Sequence, residues 1–172
     1  MKFFLITPLV LFFAMSVFMQ TPCNLAVEES PKLQNTKLGM TKNEVSKAIN
    51  LKVKVKNKGE RTFFKNYIKK KAKGSLEGVR AIYLRFFNGK LYQMEFFYGQ
   101  NYRWKNLKDF INSYSSENNF PYAFWKIKNG YANVDCKGFS IEANYQLNPF
   151  IQLTDNMVLE DVKKERKLTE KK

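Results

Sequence analysis

Two cysteines, Cys23 and Cys136, are the side chains of this chain best able to form a covalent cross-link. An even cysteine count favours a disulfide in an oxidising compartment. The bridge would close a loop of more than 100 residues, for which the chain-entropy model gives about 4–5 kcal/mol of stabilisation. Two alternatives stay open. Cleavage of a leader after Ala26 would remove Cys23, and lipidation of Cys23 would require small residues where Thr21 and Pro22 stand.

The side chains needed for acid–base catalysis are scarce. The chain contains no histidine, which is the usual general base near neutral pH and the commonest metal ligand. It also lacks a Gly-rich phosphate loop, a Cys-x-x-Cys pair and a serine nucleophile motif. The carboxylates lie in ordinary structural contexts, and the one notable pair, Arg80 with Glu95, is explained by a diagonal cross-strand ion pair. We therefore predict a non-catalytic protein without cofactor or metal.

Positive charge dominates the composition. There are 30 Lys and Arg against 15 Asp and Glu, a net charge of +15. A field of this sign attracts acidic lipids, acidic glycans, acidic proteins or nucleic acid, and the same excess also serves solubility. The candidate anion-binding residues are lysines of two clusters: Lys52, Lys54, Lys56, and Lys69, Lys70, Lys71, Lys73.

The N-terminal residues predict export. Lys2 is followed by an apolar stretch and then by small and polar residues up to Pro22, the layout of a secretory signal peptide. The alternative is a retained membrane anchor, which needs about 20 apolar residues. Thr7, Pro8 and Ser16 interrupt the stretch, so cleavage is the favoured reading.

This leader divides the chain into three parts. We predict a signal peptide at 1–22, a single α+β domain with an extended lead-in at 23–155, and a charged C-terminal helix or tail at 156–172. The mature protein would be periplasmic or secreted, with no transmembrane segment after signal removal. Export leaves nucleic acid outside the expected partners.

Two helices are predicted ahead of the C-terminal segment. Thr41 and Glu44 have the spacing of a capping box, in which each side chain binds a backbone N–H at the start of a helix. Asn50 suits the left-handed residue that ends this helix. The second helix carries an apolar stripe at helical spacing: Trp104, Leu107, Phe110, Ile111 and Tyr114.

Alternating and β-rich segments predict an antiparallel sheet. Two Asn-Gly pairs, at 88–89 and 129–130, lie between such segments and are typical of two-residue hairpin turns. The predicted strands are 51–58, 62–68, 79–87, 90–98, 123–128, 131–136, 139–145 and a short one around Ile151 and Leu153. The expected fold is α+β, an antiparallel β-sheet with two helices packed on one face.

The first hairpin carries the candidate protein-binding surface. A two-residue turn with regular pairing places Phe86 opposite Leu91, Leu84 opposite Gln93 and Ile82 opposite Glu95. One face then holds Met94, Phe96 and Tyr98 and is expected to be core. The opposite face is predicted to be an open apolar recognition surface made by Ile82, Leu84, Phe86, Leu91 and Phe97.

The segment Leu38–Val45, together with the signal peptide and the order of helices and hairpins, resembles a group of small exported bacterial envelope proteins. The group includes the SmpA/OmlA-type lipoprotein of the outer-membrane barrel-assembly machinery and the tandem-repeat β-lactamase inhibitor protein. In that group a Gly-Met-[Ser/Thr]-x-x-[Glu/Gln]-Val helix opens a unit with two helices on one face of an antiparallel sheet. The chain departs from the lipoprotein because no lipobox precedes Cys23.

A closer resemblance is to uncharacterised exported bacterial proteins that pair a cysteine before Leu-Gly-Met with a later Cys-x-Gly-Phe. Cys23 and the segment Cys136-Lys137-Gly138-Phe139 match that pattern, and the resemblance favours the disulfide. Neither resemblance assigns binding residues. The expected partner is an envelope or extracellular protein, with an anionic lipid or glycan as the alternative.

Overall fold

The computed structural model describes residues 22–53, 61–64, 77–99, 104–146 and 149–170. Within these ranges the chain forms seven strands and three α-helices. The strands are β1 (Arg61–Phe64), β2 (Val79–Phe87), β3 (Lys90–Tyr98), β4 (Lys126–Lys128), β5 (Tyr131–Asp135), β6 (Phe139–Asn144) and β7 (Phe150–Asp155). The helices are α1 (Lys42–Ala48), α2 (Leu107–Glu117) and α3 (Asn156–Glu170).

All strand pairs in the sheet are antiparallel, and the strand order is β1-β2-β3-β7-β6-β5-β4. The last strand of the chain, β7, therefore lies at the centre. It pairs with β3 on one side and β6 on the other, and joins two three-stranded meanders. The predicted α+β class with an antiparallel sheet is confirmed.

Both predicted hairpin turns are present. Asn88 and Gly89 have φ values of 48° and 73°, and Asn129 and Gly130 have 51° and 77°. Positive φ at both central residues matches the right-handed twist of the flanking strands. The Asn-Gly pairs thus connect β2 to β3 and β4 to β5, as the sequence predicts.

A β-bulge in the first hairpin changes which side chains share a face. Phe86 lies opposite Leu91 as predicted, but the register shifts by one residue next to that pair, and Leu84 lies opposite Met94 instead of Gln93. A shift of one residue moves a side chain to the other face of the sheet. The bulge therefore places both apolar rows of the hairpin on one side.

That side is the inner face of the sheet. Helices α1 and α2 pack their apolar residues into the same core cluster as its side chains. On α1, Val45 is fully buried, and α2 buries Leu107, Phe110, Ile111 and Tyr114. Inner-face side chains buried to 3% exposure or less include Ile82, Leu84, Phe86, Leu91, Met94, Phe96, Tyr98, Ala132, Val134, Phe139, Ile141, Ala143, Ile151 and Leu153. Close packing of this cluster fixes the sheet and the two helices relative to each other.

The predicted capping box forms at the start of α1. The backbone N–H of Glu44 donates to the Thr41 hydroxyl at 3.3 Å, and the backbone N–H of Thr41 donates to the Glu44 carboxylate at 2.7 Å. Asn50, just after the helix, has a φ of 52°. Hydrogen bonds from Gly39 N to Leu91 O and from Leu91 N to Met40 O tie this end of the helix to β3.

The lead-in is attached to the turn between β5 and β6 by a covalent bond and two hydrogen bonds. The sulfurs of Cys23 and Cys136 lie at bonding distance, with their Cα atoms 4.5 Å apart. The N–H of Lys137 donates to Cys23 O, and the N–H of Gly138 donates to Leu25 O. The predicted pairing of the two cysteines is confirmed in its geometry.

The C-terminal residues form α3, which begins directly after β7. The Asp155 carboxylate accepts a hydrogen bond from the N–H of Val158 and so caps the helix. Val162 is its one buried side chain among those described, whereas Met157 and Leu168 are 72% and 67% exposed. This helix is therefore largely solvated.

The first predicted strand, 51–58, is absent from the three of its residues that the structure describes. Leu51, Lys52 and Val53 are not in a strand, although Leu51 and Val53 are buried and Lys52 is exposed, as their alternation predicts. Residues 54–60 lie outside the described ranges. The next predicted strand, 62–68, overlaps β1, which begins one residue earlier, and its residues 65–68 lie outside the described ranges.

Candidate binding surface

The predicted apolar recognition face is wrong. Ile82 and Leu84 are fully buried, and Phe86 and Leu91 are 3% and 1% exposed. The bulge between Arg85 and Phe86 places these side chains on the core side, where they lie with Met94 and Phe96. Only Phe97 of the predicted set lies on the opposite side, where it is half-buried.

The opposite side of the sheet, which we call the outer face, is polar and aromatic. Its side chains form three rows across the strands. The rows are Ala81, Phe97, Phe150, Asn144, Tyr131; then Tyr83, Glu95, Gln152, Glu142, Asn133; then Arg85, Gln93, Thr154, Ser140, Asp135. Most of these side chains are half-buried rather than buried. At a strand spacing of about 4.8 Å, each row of five is about 19 Å long.

Aromatic contacts lie on the part of the outer face formed by β2, β3 and β7. Phe97 and Phe150 lie on adjacent strands with ring centroids 5.8 Å apart. On β2, the Arg85 guanidinium carbon is 4.8 Å from the centroid of the Tyr83 ring, within the range of a cation–π interaction. These contacts pack the rings and the guanidinium against the outer face, where all four side chains are half-buried.

Carboxylates lie between the aromatic residues. Partial burial raises the pKa of Glu95, Arg85 opposes that shift, and Glu142 adds to it. Burial and a side-chain hydrogen bond with Glu142 raise the pKa of Tyr131. Glu142 therefore contributes to the raised pKa of Glu95 across Gln152, which separates the two carboxylates in the row.

The predicted ion pair of Arg80 with Glu95 is wrong for the same reason as the predicted face. Glu95 lies opposite Tyr83, and its cationic neighbour is Arg85. Arg80 lies at a second irregularity of the β2–β3 pairing, where its guanidinium reaches Gly99. The regular pairing assumed from the sequence does not contain either irregularity.

Hydrogen bonds to Thr154 and to Asp135 order the remaining polar side chains. Gln93 Nε2 donates to the Thr154 hydroxyl at 3.0 Å, and both side chains are buried. Asn133 Nδ2 donates to Asp135 at 2.8 Å, and Lys126 on the edge strand contacts the same carboxylate at 3.3 Å. Gln93 and Thr154 are thus withdrawn from solvent, whereas Phe97 and Phe150 are half-buried and Asp135 is exposed.

The predicted anion-binding lysines can be placed in one case. Lys52 is exposed and lines an open cleft beside α1 with Lys42 and Lys47. The other described lining residues are Asn43, Ser46, Asn50, Leu51 and Val53, and none of these is a carboxylate. Lys54, Lys56, Lys69, Lys70, Lys71 and Lys73 lie outside the described residues.

Sequence reasoning placed the surface on the wrong side of the hairpin and did not identify the outer face. Sequence reasoning also missed Lys42 and Lys47 as candidate anion-binding residues. The sequence shows both on the predicted short helix, five residues apart and close to Lys52. The pairing of Phe97 with Phe150 could not be read from the sequence, because β3 and β7 are distant in the chain.

Among the residues that the structure describes, no group of three or more Cys, Asp or Glu side chains could hold a metal ion. In the same ranges, no helix combines the length and apolarity required to cross a lipid bilayer.

Comparison of the chain with protein-family models, with curated proteins and with solved structures finds no match.

Proposed function

We propose that this chain is an exported, non-catalytic protein whose outer face binds another protein of the envelope or the extracellular space. The observation that supports this most is the half-buried pair Phe97 and Phe150, which lies beside Glu95 and the stacked Tyr83 and Arg85. The face is on the sheet side opposite the helix-packed core.

The composition of the face suits protein recognition. Aromatic residues and arginine are enriched in protein interfaces and among their strongest contributors. A row about 19 Å long is wider than the roughly 10–12 Å diameter of a helix. Because Glu95, Glu142 and Asp135 lie on this face, we expect the partner to present basic or hydrogen-bond-donating groups.

The proposed location follows from three observations. The first 22 residues have the layout of a signal peptide. The two cysteines are positioned for a disulfide, which persists mainly in oxidising compartments. The resemblance to exported envelope proteins points in the same direction.

A capture experiment with paired variants tests the proposed surface. Three proteins would each be immobilised on a resin and incubated with envelope extract. They are the mature protein, the double variant Phe97→Ala/Phe150→Ala and the control Met157→Ala/Leu168→Ala. The control removes two apolar side chains that are exposed on α3. We expect the wild type and the control to retain the same protein partner and the outer-face variant to lose it, with all three equally folded by circular dichroism. Equal retention by all three would refute the proposed surface.

The cleft beside α1 supports a second candidate function, the binding of an anionic lipid or glycan. Lys42, Lys47 and Lys52 line it without a described carboxylate among them. Cations gathered on one surface attract anions, and that attraction is screened over about 8 Å at physiological ionic strength. Binding through this cleft should therefore weaken strongly as salt is added.

Sedimentation with anionic vesicles separates the two candidates. The variant Lys42→Gln/Lys47→Gln/Lys52→Gln removes three charges from the cleft, and Lys163→Gln/Lys164→Gln/Lys167→Gln removes three from α3. If the cleft binds the lipid head group, only the first variant loses salt-sensitive binding. Equal losses would indicate a general charge effect, and binding that is insensitive to salt would contradict this candidate.

A further inference from the structure

The two Asn-Gly pairs of the hairpin turns, Asn88-Gly89 and Asn129-Gly130, have a chemical reactivity of their own. Glycine has no side chain to shield its backbone nitrogen, which can attack Cγ of the preceding asparagine. A bond forms between these two atoms, the C–N bond of the side-chain amide breaks, and ammonia leaves with the proton of the backbone N–H. Water then opens the resulting five-membered imide to aspartate or isoaspartate. Each turn is therefore a candidate site of covalent modification.

Closure of the imide requires the asparagine backbone to rotate out of its turn conformation, because the glycine nitrogen has to swing towards Cγ. Both asparagines have positive φ in the fold, 48° at Asn88 and 51° at Asn129, and paired strands hold each turn at its two ends. A turn can open locally without global unfolding, at a free energy set by the contacts that it makes. The rate of reaction at each site thus depends on what else holds the turn closed.

The turn at Asn129-Gly130 is held by the residues that follow β6. Gln146 Nε2 donates to the carbonyl oxygen of Asn129 at 3.1 Å, and the backbone N–H of Tyr145 donates to the carbonyl oxygen of Gly130 at 3.4 Å. The Gln146 side chain also lies close to Gly130, since a Cβ there would be 3.0 Å from Gln146 Nε2. A 2.8 Å hydrogen bond from the Gln146 backbone N–H to the Asn144 side chain positions Gln146. Rotation of the Asn129 backbone moves its carbonyl, so the bond from Gln146 has to break before the turn opens.

The turn at Asn88-Gly89 lacks such a restraint among the residues that the structure describes. Both of its residues are exposed, and no described atom would lie within 4 Å of a Cβ on Gly89. Within the described ranges, neither residue makes a backbone hydrogen bond outside the hairpin. The first turn should therefore open more readily than the second.

From this difference we infer that Asn88 is a site of spontaneous deamidation in the folded protein, and that Gln146 protects Asn129 from the same reaction. Glycine follows both asparagines, so the environment of each turn sets their relative rates. The product at position 88 carries a new carboxylate at the tip of the β2–β3 hairpin, and isoaspartate also adds a methylene to the main chain there. The inference does not depend on the proposed protein binding, and its failure would leave that proposal untouched.

Peptide mass mapping of the oxidised mature protein during incubation at mildly alkaline pH tests the inference. A parallel sample in concentrated urea gives the reactivity of each Asn-Gly pair without its turn. We expect similar rates at the two sites in urea. In the folded protein Asn88 should react about 2- to 10-fold faster than Asn129, the ratio that corresponds to one hydrogen bond. Equal rates in the folded protein, faster reaction of Asn129, or no conversion of Asn88 would overturn the inference.

A variant then tests the protecting side chain. Gln146→Ala should raise the rate at Asn129 about 2- to 10-fold and leave the rate at Asn88 unchanged. The matched control is Gln152→Ala, which removes a glutamine that lies opposite Glu95 and Glu142 on β7 and should change neither rate. An unchanged rate at Asn129 in Gln146→Ala, or an equal rise at both asparagines, would show that Gln146 does not protect this turn.

Discussion

At Gly138 the absence of a side chain lets the lead-in lie directly against the sheet. A Cβ there would be 2.3 Å from Val27 N and 2.7 Å from Ala26 C, both backbone atoms. We predict that Gly138→Ala lowers the free energy of unfolding by about 1–3 kcal/mol, the usual cost of overpacking. Urea denaturation of the oxidised protein measures this difference.

Gly99→Ala is the matched control for Gly138→Ala. A Cβ at Gly99 would approach only the end of the Arg80 side chain, at 3.2 Å, and that side chain can move aside. The control should lose much less stability. Equal losses in the two variants would show that close approach of the lead-in is not what Gly138 provides.

The raised pKa of Glu95 predicts how the stability of the fold changes with pH. Its pKa in the folded protein is raised, chiefly by burial, so folding favours the protonated form and its stabilising effect is lost as pH rises through that pKa. Glu95→Gln should therefore be more stable than the wild type at pH 7, and this advantage should shrink towards pH 4. Urea midpoints at the two pH values measure it.

Glu160 on α3 has a pKa shift opposite in sign to that of Glu95 and serves as a comparison. A hydrogen bond and charge attraction from Lys163 lower its pKa, so its contribution is present at neutral pH and is lost in acid. Glu160→Gln should not gain stability at pH 7. A Glu95→Gln variant that is weakest relative to wild type at pH 7 would contradict the burial argument.

Among the elements, α1 depends most on its first turn, because it is only seven residues long and short helices are marginal without capping and packing. We predict that Thr41→Ala, which removes the acceptor for Glu44 N, costs about 1 kcal/mol. Thermal unfolding measures the loss. Ser116→Ala, at an exposed position of α2, is the control and should have little effect; a similar loss there would remove the capping explanation.

The elements themselves were largely predictable from the sequence, but their faces were not. Positive φ at the Asn-Gly pairs and the Thr41–Glu44 spacing are local requirements, and local patterns reveal them. The bulge beside Phe86 is different, because regular and bulged pairings both satisfy the local alternation. Only burial of Ile82 and Leu84 together with Met94 and Phe96 selects the bulged register, and that selection occurs in the assembled core.

For the whole molecule, the central position of β7 decides what the outer face contains. A last strand was expected around Ile151, but its insertion between β3 and β6 joins residues far apart in the chain. Phe97 meets Phe150, and Glu95 and Glu142 flank Gln152, only because of that insertion. Pairings of such long sequence separation leave no local signal, so the candidate surface could not be found before the sheet order was known.

The covalent link between the lead-in and the sheet is also a feature of the whole molecule. Cys23 is the second residue described, and the disulfide with Cys136 fixes the lead-in where it packs against Gly138. A bridge that closes so long a loop restricts the unfolded chain. The disulfide therefore requires both that Cys23 survives processing and that the compartment is oxidising.

Intact mass spectrometry of the protein made by its own cells, with and without reductant, tests this requirement most directly. We predict a mature chain that lacks residues 1–22 and retains Cys23, found outside the cytosol, and that gains the mass of two hydrogens on reduction. A cytosolic chain that still begins at Met1 and shows the same mass before and after reduction would contradict both the export and the cross-link.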